Sequence, residues 1–119
     1  MLVNIHSYFS LRYGTLSLND IVSNLKKNRY KTAVLTDIHN STATLDFIKL
    51  CTKNDIKGLA GMEFTFNDET CFIGIAKNNE GFKELNDYQT ALNFKEIKPE
   101  KTAPNFQHVW IIYPYKKIE

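Results

Sequence analysis

The sequence lacks the features that are typical of membrane-spanning proteins, disulfide-rich proteins and strongly basic nucleic-acid-binding proteins. No apolar run approaches the roughly 20 residues needed to span a bilayer. Only Cys51 and Cys71 are cysteines; they form no CxxC pair and follow no secretory apolar segment, which favours free thiols in a reducing compartment. The 15 basic and 13 acidic residues are scattered and give a net charge of +2, too balanced to indicate nucleic-acid binding. We therefore expect a soluble, cytoplasmic protein.

The length and apolar content nevertheless allow one well-packed domain. The chain has 119 residues, of which 43% are hydrophobic, enough for a single core and short for two. No internal repeat or low-complexity tract interrupts it. We therefore treat residues 1–119 as one domain.

Three apolar runs end on side chains that bind metals or move protons. The central one leads into Asp37, an earlier one ends at His6, and a later one ends at Glu63. Functional groups in α/β folds concentrate at strand ends, and consecutive right-handed crossovers keep neighbouring ends on one side. We therefore expect His6, Asp37 and Glu63 to lie close together.

Apolar spacing and turn residues predict five strands and three helices in the order β-α-β-α-β-β-α-β. The first three strands should be parallel, and the third and fourth should form a hairpin. The predicted elements are strand 1–6, helix 17–29, strand 33–37, helix 41–54, strand 56–64, strand 70–76, helix 80–92 and strand 109–113, with an irregular connection over 93–107.

Each predicted helix has an apolar face and a recognisable start. Ser17, with Asp20 three residues later, resembles a capping box, and Ser41 or Thr42 is expected to cap the second helix. Cys51 falls on the inner side of the second helix and is expected in the core. The residues expected to face inward are Leu18, Ile21, Val22 and Leu25 in the first helix, Leu45, Ile48 and Cys51 or Thr52 in the second, and Phe82, Leu85 and Tyr88 or Gln89 in the third.

Four segments in one register resemble the N-terminal polymerase-and-histidinol-phosphatase (PHP) domain of bacterial DNA polymerase III alpha subunits. Residues 4–14 (NIHSYFSLRYG) resemble the opening H-x-H-S-x-Y-S-x-x-D-G, and residues 35–40 (LTDIHN) resemble L-T-D-H-G-N. Residues 58–63 (GLAGME) resemble a strand ending in G-x-E. Residues 75–85 (IAKNNEGFKEL) resemble L-A-K-N-x-x-G-Y-x-N-L, the segment that points to the polymerase branch. The implied fold is α/β, a partial PHP-type β/α barrel with a mainly parallel sheet flanked by helices.

The chain departs from the family pattern at the metal ligands. Asn4 stands for the first His, Tyr13 for the Asp before Gly, Ile38 for the His after Thr-Asp, and Cys71 about where many members carry another His. A Zn or Mn cluster needs several imidazoles and carboxylates around each ion, and an apolar side chain supplies no lone pair. We expect no cofactor, no catalytic residue and no metal site, with His6, Asp37 and Glu63 as the residual metal candidates.

Each histidine and carboxylate also has a purely structural interpretation. His6 is either a hydrogen-bonded, partly buried histidine or a ligand, and Asp37 and Glu63 either satisfy nearby amides or bind an ion. His39 stands where the family has Gly and is a candidate substitute ligand. His108 has no partner evident in sequence and is expected to be exposed.

The resemblance implies a role in DNA replication. The parent chain would be a DNA-directed DNA polymerase whose active site lies in another domain, so this segment would act as a structural and interaction module. Family PHP domains pack against the rest of the alpha subunit and, in some members, contact the proofreading exonuclease. Two alternatives stay open: a stand-alone metal-dependent phosphoesterase, and a non-catalytic module that binds protein through aromatic residues such as Tyr8, Phe9 and Tyr13.

The predicted elements do not complete a barrel. A full PHP domain has about seven strands by resemblance, whereas five are predicted here, so we expect an open sheet with free edge groups. Self-association through the edge at residues 109–113, or through the uncovered sheet face, is expected to bury on the order of 1,000 Å². No membrane contact and no direct nucleic-acid site are expected.

Overall fold

The computed structural model describes residues 2–6, 17–67, 69–98 and 100–114, which form five strands and three helices in the predicted order. The connector with Tyr8, Phe9 and Tyr13, and the side chain of Asn4, lie outside the described residues. None of the helices described is long and apolar enough to cross a bilayer. The elements are β1 (Leu2–Ile5), α1 (Leu18–Lys27), β2 (Thr32–Leu35), α2 (Thr44–Lys53), β3 (Lys57–Phe66), β4 (Glu69–Ala76), α3 (Asn79–Asn93) and β5 (Val109–Ile112).

The strands form one mixed sheet in the order β1-β2-β3-β4-β5. Strands β1, β2 and β3 run parallel, as expected, because a helix connects β2 to β3 and brings the chain back to the starting edge. The predicted hairpin is confirmed: β4 pairs antiparallel with β3 after a turn that begins at Asn67, whose φ of 53° suits asparagine. Strand β5 also pairs antiparallel with β4. The mainly parallel arrangement therefore applies to the first half of the sheet, and the second half is antiparallel.

Helices α1 and α2 cover one face of the parallel strands. As predicted, Ser17 caps α1: its hydroxyl accepts a hydrogen bond from the backbone N–H of Asp20 (3.3 Å) and donates one to the Asp20 carboxylate (2.9 Å). Cys51 lies in the core, as expected, and both cysteines are free. The buried residues of this cluster are Ile21, Val22, Leu25, Ala33, Leu35, Ala43, Phe47, Cys51 and Ile56.

The start and the buried face of α2 differ from the prediction. The helix begins at Thr44 and has Ala43 as its N-cap, without a side-chain cap bond. The hydroxyl of Ser41 instead donates to Asn86 in α3 (2.7 Å), and Asn40 forms the local turn by accepting from the backbone N–H of Thr42. Phe47 then faces inward and Leu45 is 64% exposed, so the expected inward position of Leu45 was wrong.

Helix α3 packs on the antiparallel half of the same sheet face. The side chain of Asn78 caps it by accepting a hydrogen bond from the backbone N–H of Gly81 (3.0 Å). Leu85 is buried there, as predicted. The buried residues of this cluster are Met62, Phe64, Cys71, Phe72, Ala76, Leu85 and Val109.

The opposite face of the sheet, which we call the second face, is also apolar. Val34 packs there with Ile73 and Ile75, because residues alternate between faces along a strand. Gly61 lies between β2 and β4 on this face: a Cβ on it would lie 2.8 Å from the Thr36 side chain and 2.9 Å from the Gly74 carbonyl oxygen. The strands therefore approach closely where the parallel and antiparallel halves meet.

Candidate functional site at the strand ends

Three chain segments are joined at the carboxyl edge of the parallel strands. Beyond β2, the backbone N–H of Thr36 donates to the carbonyl of Ile5 in β1 (2.9 Å). The N–H of Glu63 donates to the carbonyl of Asp37 (3.0 Å), and Ile38 pairs with Glu63 as an isolated parallel bridge. The sequence after β2 therefore continues beside β3 and brings its polar residues to the end of β1.

The expected convergence of His6 and Glu63 is confirmed by a side-chain contact. The Nε2 atom of His6 lies 3.2 Å from Oε1 of Glu63, and their side chains are 17% and 5% exposed. Asp37 lies at the same edge through its backbone bond to Glu63, and it is 1% exposed. All three candidates therefore lie at one edge, as the order of strands and crossovers predicted.

Thr70 is the member of this cluster that sequence reasoning missed. Its hydroxyl donates to Oε2 of Glu63 (3.2 Å), so each oxygen of the carboxylate has a partner within the protein. A buried carboxylate is tolerated only when such partners replace water. The signal lay in the hairpin, which returns β4 beside β3, but the side-chain contact depends on the sheet register. The cluster connects the end of β1 to both strands of the hairpin.

The described residues do not fit the metal cluster that the resemblance implies. They contain no group of three or more His, Cys, Asp or Glu side chains placed to hold a metal ion. Ile38, which pairs with Glu63, contributes no donor atom. Cys71 is buried, and its Sγ lies 3.9 Å from the carbonyl of Glu69. What remains at this edge is a hydrogen-bonded carboxylate–histidine pair.

His39 does not serve as a substitute ligand, because both of its ring nitrogens are in use. Its Nε2 accepts a hydrogen bond from the backbone N–H of Thr65 (2.9 Å). Nε2 also lies 2.9 Å from the carbonyl oxygen of Thr65, and Nδ1 lies 2.8 Å from Oε1 of Gln89, so both ring nitrogens have protein partners whichever of them carries the proton. The backbone of His39 has φ of 52°, a left-handed conformation in which the family pattern has glycine. This histidine joins β3 to α3 through contacts at both ring nitrogens.

The partner of His108, which was not evident in the sequence, is a carboxylate of α3. The Nε2 atom of His108 lies 2.9 Å from a carboxylate oxygen of Glu80 in α3, and the histidine side chain is 40% exposed. Glu84, one turn further along α3, accepts hydrogen bonds from the backbone N–H groups of Gln107 and His108, each at 2.8 Å. These contacts join residues that are more than 20 positions apart, so local sequence patterns did not reveal them. They hold the start of β5 against α3.

A shallow cleft of about 270 Å³ lies on the other side of His6, between β1 and α1. It contains amide and aromatic side chains but no carboxylate or thiol, so it offers neither a nucleophile nor an anionic metal ligand. It is lined by Ile5, His6, Ile21, Asn24, Leu25, Asn28 and Tyr30.

Comparison with known proteins relates this geometry to one family. Residues 3–113 match the family model described as the PHP domain. The chain is 29% identical over 83 residues to the DNA polymerase III subunit alpha of Ureaplasma parvum, covering 70% of this chain and 8% of that protein. It is 28% identical over 115 residues to the subunit of the same name from Bacillus subtilis, covering 92% and 10%. The chain therefore spans about a tenth of the length of these relatives.

Solved structures share the fold at low sequence identity. One is described as a "putative metal-dependent phosphoesterase" from Bifidobacterium adolescentis; its TM-score is 0.60 at 13% identity, over 77% of this chain and 32% of that one. Another is an amidohydrolase from Chromobacterium violaceum with bound sulfate and no metal; its TM-score is 0.57 at 16% identity, over 76% and 33%. At these identities the comparison shows the fold, and the chain corresponds to a third of each structure.

Proposed function

This chain belongs to the PHP domain family, and from that premise we propose that it acts in DNA replication as a structural and interaction module with a degenerate metal site. The observation that carries the proposal is the hydrogen bonding of the Glu63 carboxylate. His6 and Thr70 bond to its two carboxylate oxygens, and Ile38 pairs with it where the family pattern has an imidazole. These contacts support a role in which the residual ligands stabilise the fold instead of binding an ion.

The resemblance to the DNA polymerase III alpha subunit supplies the proposed context. The curated relatives matched over most of this chain carry that name, and the chain corresponds to about a tenth of their length. We place the module in the cytoplasm, packed against other parts of an alpha subunit and, through it, beside the proofreading exonuclease. Nucleotidyl transfer would belong to the parent polymerase and to carboxylates outside these residues.

A stand-alone metal-dependent phosphoesterase is the second candidate. It is favoured by the retained contact between His6 and Glu63 and by the fold shared with a protein of that description. That chemistry requires an ion that activates water, and the described residues offer two adjacent donors where a cluster needs more.

Metal analysis of the purified chain separates the two candidates. We expect less than stoichiometric Zn or Mn after dialysis against either ion, and no phosphatase or exonuclease activity above the background. The matched control is the triple variant Asn4→His, Tyr13→Asp, Ile38→His, which restores the family ligands and should gain bound metal. One or more ions per unmodified chain, lost on His6→Ala or Glu63→Gln, would establish the phosphoesterase candidate instead.

A binding assay tests the interaction role. The chain is immobilised and incubated with purified proofreading exonuclease, and separately with an alpha subunit from which the PHP segment has been removed. We expect retention of the truncated alpha subunit, with the exonuclease retained in its presence. Absence of both interactions at micromolar protein would contradict the module proposal.

A further inference from the structure

The outer edge of β5 has backbone groups that no other strand of the described residues pairs with. The N–H of Lys77 donates to the carbonyl of His108 (2.9 Å), so these two residues form a hydrogen-bonded pair just before the ladder of β4 and β5. Hydrogen-bonded pairs alternate along an antiparallel ladder, so Trp110 and Ile112 bond to β4. The N–H and C=O groups of Val109 and Ile111 therefore point away from β4, and no strand among the described residues pairs with them.

The same edge carries an exposed apolar surface. Trp110 lies opposite Ile75 and Ile112 opposite Ile73, so both side chains extend the second face of the sheet. Trp110 is 61% exposed and Ile112 is 38% exposed, although Ile73 and Ile75 beside them are buried. The ammonium of Lys77 lies 4.1 Å from the centroid of the Trp110 ring and covers part of it. We call Trp110 and Ile112 the edge patch.

Apart from its short length, β5 lacks the features that usually prevent edge pairing. Charged side chains, proline and bulges normally prevent edge pairing, and none of them occurs between Val109 and Ile112. The strand is uncharged and the whole chain has a formal charge of only +2, so two copies would repel each other weakly.

We propose that the β5 edge is a homodimer interface in which two copies pair antiparallel about a twofold axis. Placing Val109 of one copy opposite Ile111 of the other joins both sets of outward groups in about four backbone hydrogen bonds. Trp110 then lies opposite the same residue of the second copy, at the closer, non-hydrogen-bonded position where aromatic side chains contact each other. The two sheets become one continuous sheet, and the edge patch is covered from both sides.

The small size of the contact determines its strength. Four residues on each side fall short of a standard interface, so the dimer is weak, reversible and dependent on concentration. Sedimentation velocity from about 10 μM to about 1 mM, the range over which weak interfaces dissociate, should show a monomer passing into a dimer. Trp110 is the sole tryptophan, so its emission should shift to shorter wavelength over the same range.

Two variants test the patch and the strand edge separately. Trp110→Lys should weaken association by on the order of tenfold or more, because it places like charges opposite each other across the axis. The matched control is Tyr30→Lys, just before β2 and three strands away from β5 in the sheet order, where the residue is 38% exposed, and this variant should associate like the unmodified chain. Ile111→Pro removes an outward N–H without removing a bond to β4, and it should also abolish pairing.

Circular dichroism shows whether each variant is folded. If Ile111→Pro unfolds, Trp110→Lys still tests the proposal. A monomer at every concentration overturns the proposal, as does a dimer whose dissociation constant is unchanged by Trp110→Lys. If Trp110→Lys loses the dimer and a folded Ile111→Pro keeps it, the two copies contact each other through sheet faces and not through paired strand edges. That outcome also overturns the proposal. These readouts are independent of metal binding and of replication partners, so their failure is distinguishable from failure of the proposed function.

Discussion

The parallel and antiparallel halves of the sheet share β3 but use their residues differently. In the parallel half, the strand ends converge and bring His6, Asp37 and Glu63 to one edge. In the antiparallel half, consecutive strands end at opposite edges, and an aromatic cluster holds α3 to the sheet. The cluster includes ring pairs of Phe64 with Phe72 (4.9 Å), Phe64 with Tyr88 (5.1 Å) and Tyr88 with Phe106 (5.7 Å). Connection geometry therefore brings polar side chains together at the strand ends of the parallel half, whereas aromatic rings hold α3 to the antiparallel half.

Removing one buried phenylalanine from each half should have the largest effect. Phe47 in α2 and Phe72 in β4 are both fully buried. We expect Phe47→Ala and Phe72→Ala each to lower the free energy of unfolding by about 3–5 kcal/mol, from lost burial and from the cavity created. Urea titration followed by circular dichroism and by Trp110 emission measures both.

The same titration tests whether the halves unfold together. Because β3 belongs to both, the two signals should change at the same urea concentration in each variant. A Phe47→Ala protein that loses helical signal while Trp110 keeps its native emission would show that the halves are independent.

Alanine at a close-packed glycine should distinguish the halves more sharply. A Cβ on Gly81 would collide with the carbonyl oxygen of His108, where α3 crosses the start of β5. A Cβ on Gly58 would lie 3.0 Å from the Cβ of Cys51, a contact that small shifts relieve. We expect Gly81→Ala to cost about 1–3 kcal/mol and Gly58→Ala to cost less, measured by thermal unfolding. Equal costs would mean that the contact of α3 with β5 is as adaptable as that of α2 with β3.

Helix caps provide a matched pair of smaller effects. Ser17 caps α1 in the parallel half and Asn78 caps α3 in the antiparallel half. We expect Ser17→Ala and Asn78→Ala each to reduce the free energy of unfolding by about 1 kcal/mol. Amide hydrogen exchange should show the loss mainly in the first turn of the affected helix. An effect spread over the whole chain in one case only would indicate that the capped helix controls global unfolding.

The smallest effect near neutral pH should be the change in stability caused by ionisation of two weakly acidic groups, the thiol of Cys51 and the hydroxyl of Tyr88. Burial raises the pKa of the Cys51 thiol from 9.0 to about 11, and burial, with Glu100 next, raises the pKa of Tyr88. A raised pKa in the folded state means that stability is complete below the unfolded value and declines as the pH rises from about 9 towards 11, by about 1.4 kcal/mol for each unit of separation.

Thiol labelling and alkaline titration check these values. The Cys51 thiol should resist labelling at pH 8 in the folded chain and react at once in urea. Unfolding measured from pH 7 to pH 11 should show the decline begin near pH 9, with a smaller decline in Cys51→Ser. Rapid labelling of Cys51 at pH 8 under native conditions would contradict its burial.

Local patterns predicted the features that depend on neighbours in sequence. The cap at Ser17, the hairpin after Phe66 and the parallel order of the first three strands all follow from spacing and turn residues. The convergence of His6 and Glu63 followed as well, because crossover handedness is general. These features account for the fold class and for the location of the candidate site.

Features that depend on distant partners were not accessible from local patterns. Ser41 was expected to cap α2, but Asn86, 45 residues away, takes its hydroxyl. No partner of His108 was evident in the sequence, but Glu80 lies beside it once β5 packs against α3. A hydrogen-bonding side chain has several acceptors within reach, and the one that it bonds to depends on the register of the strands and on the rotation of the packed helix.

The long strand β3 and its immediate partner also bear on the order of folding. Pairing β4 with β3 requires closing only the short turn at Asn67, whereas pairing β1 with β2 requires closing a loop of about 30 residues that includes α1. Short loops close faster, and contacts near in sequence form earlier in small domains. The antiparallel hairpin is therefore the part of the sheet expected to form first on refolding of the complete chain, and the edge that carries His6 is completed only when β1 pairs with β2.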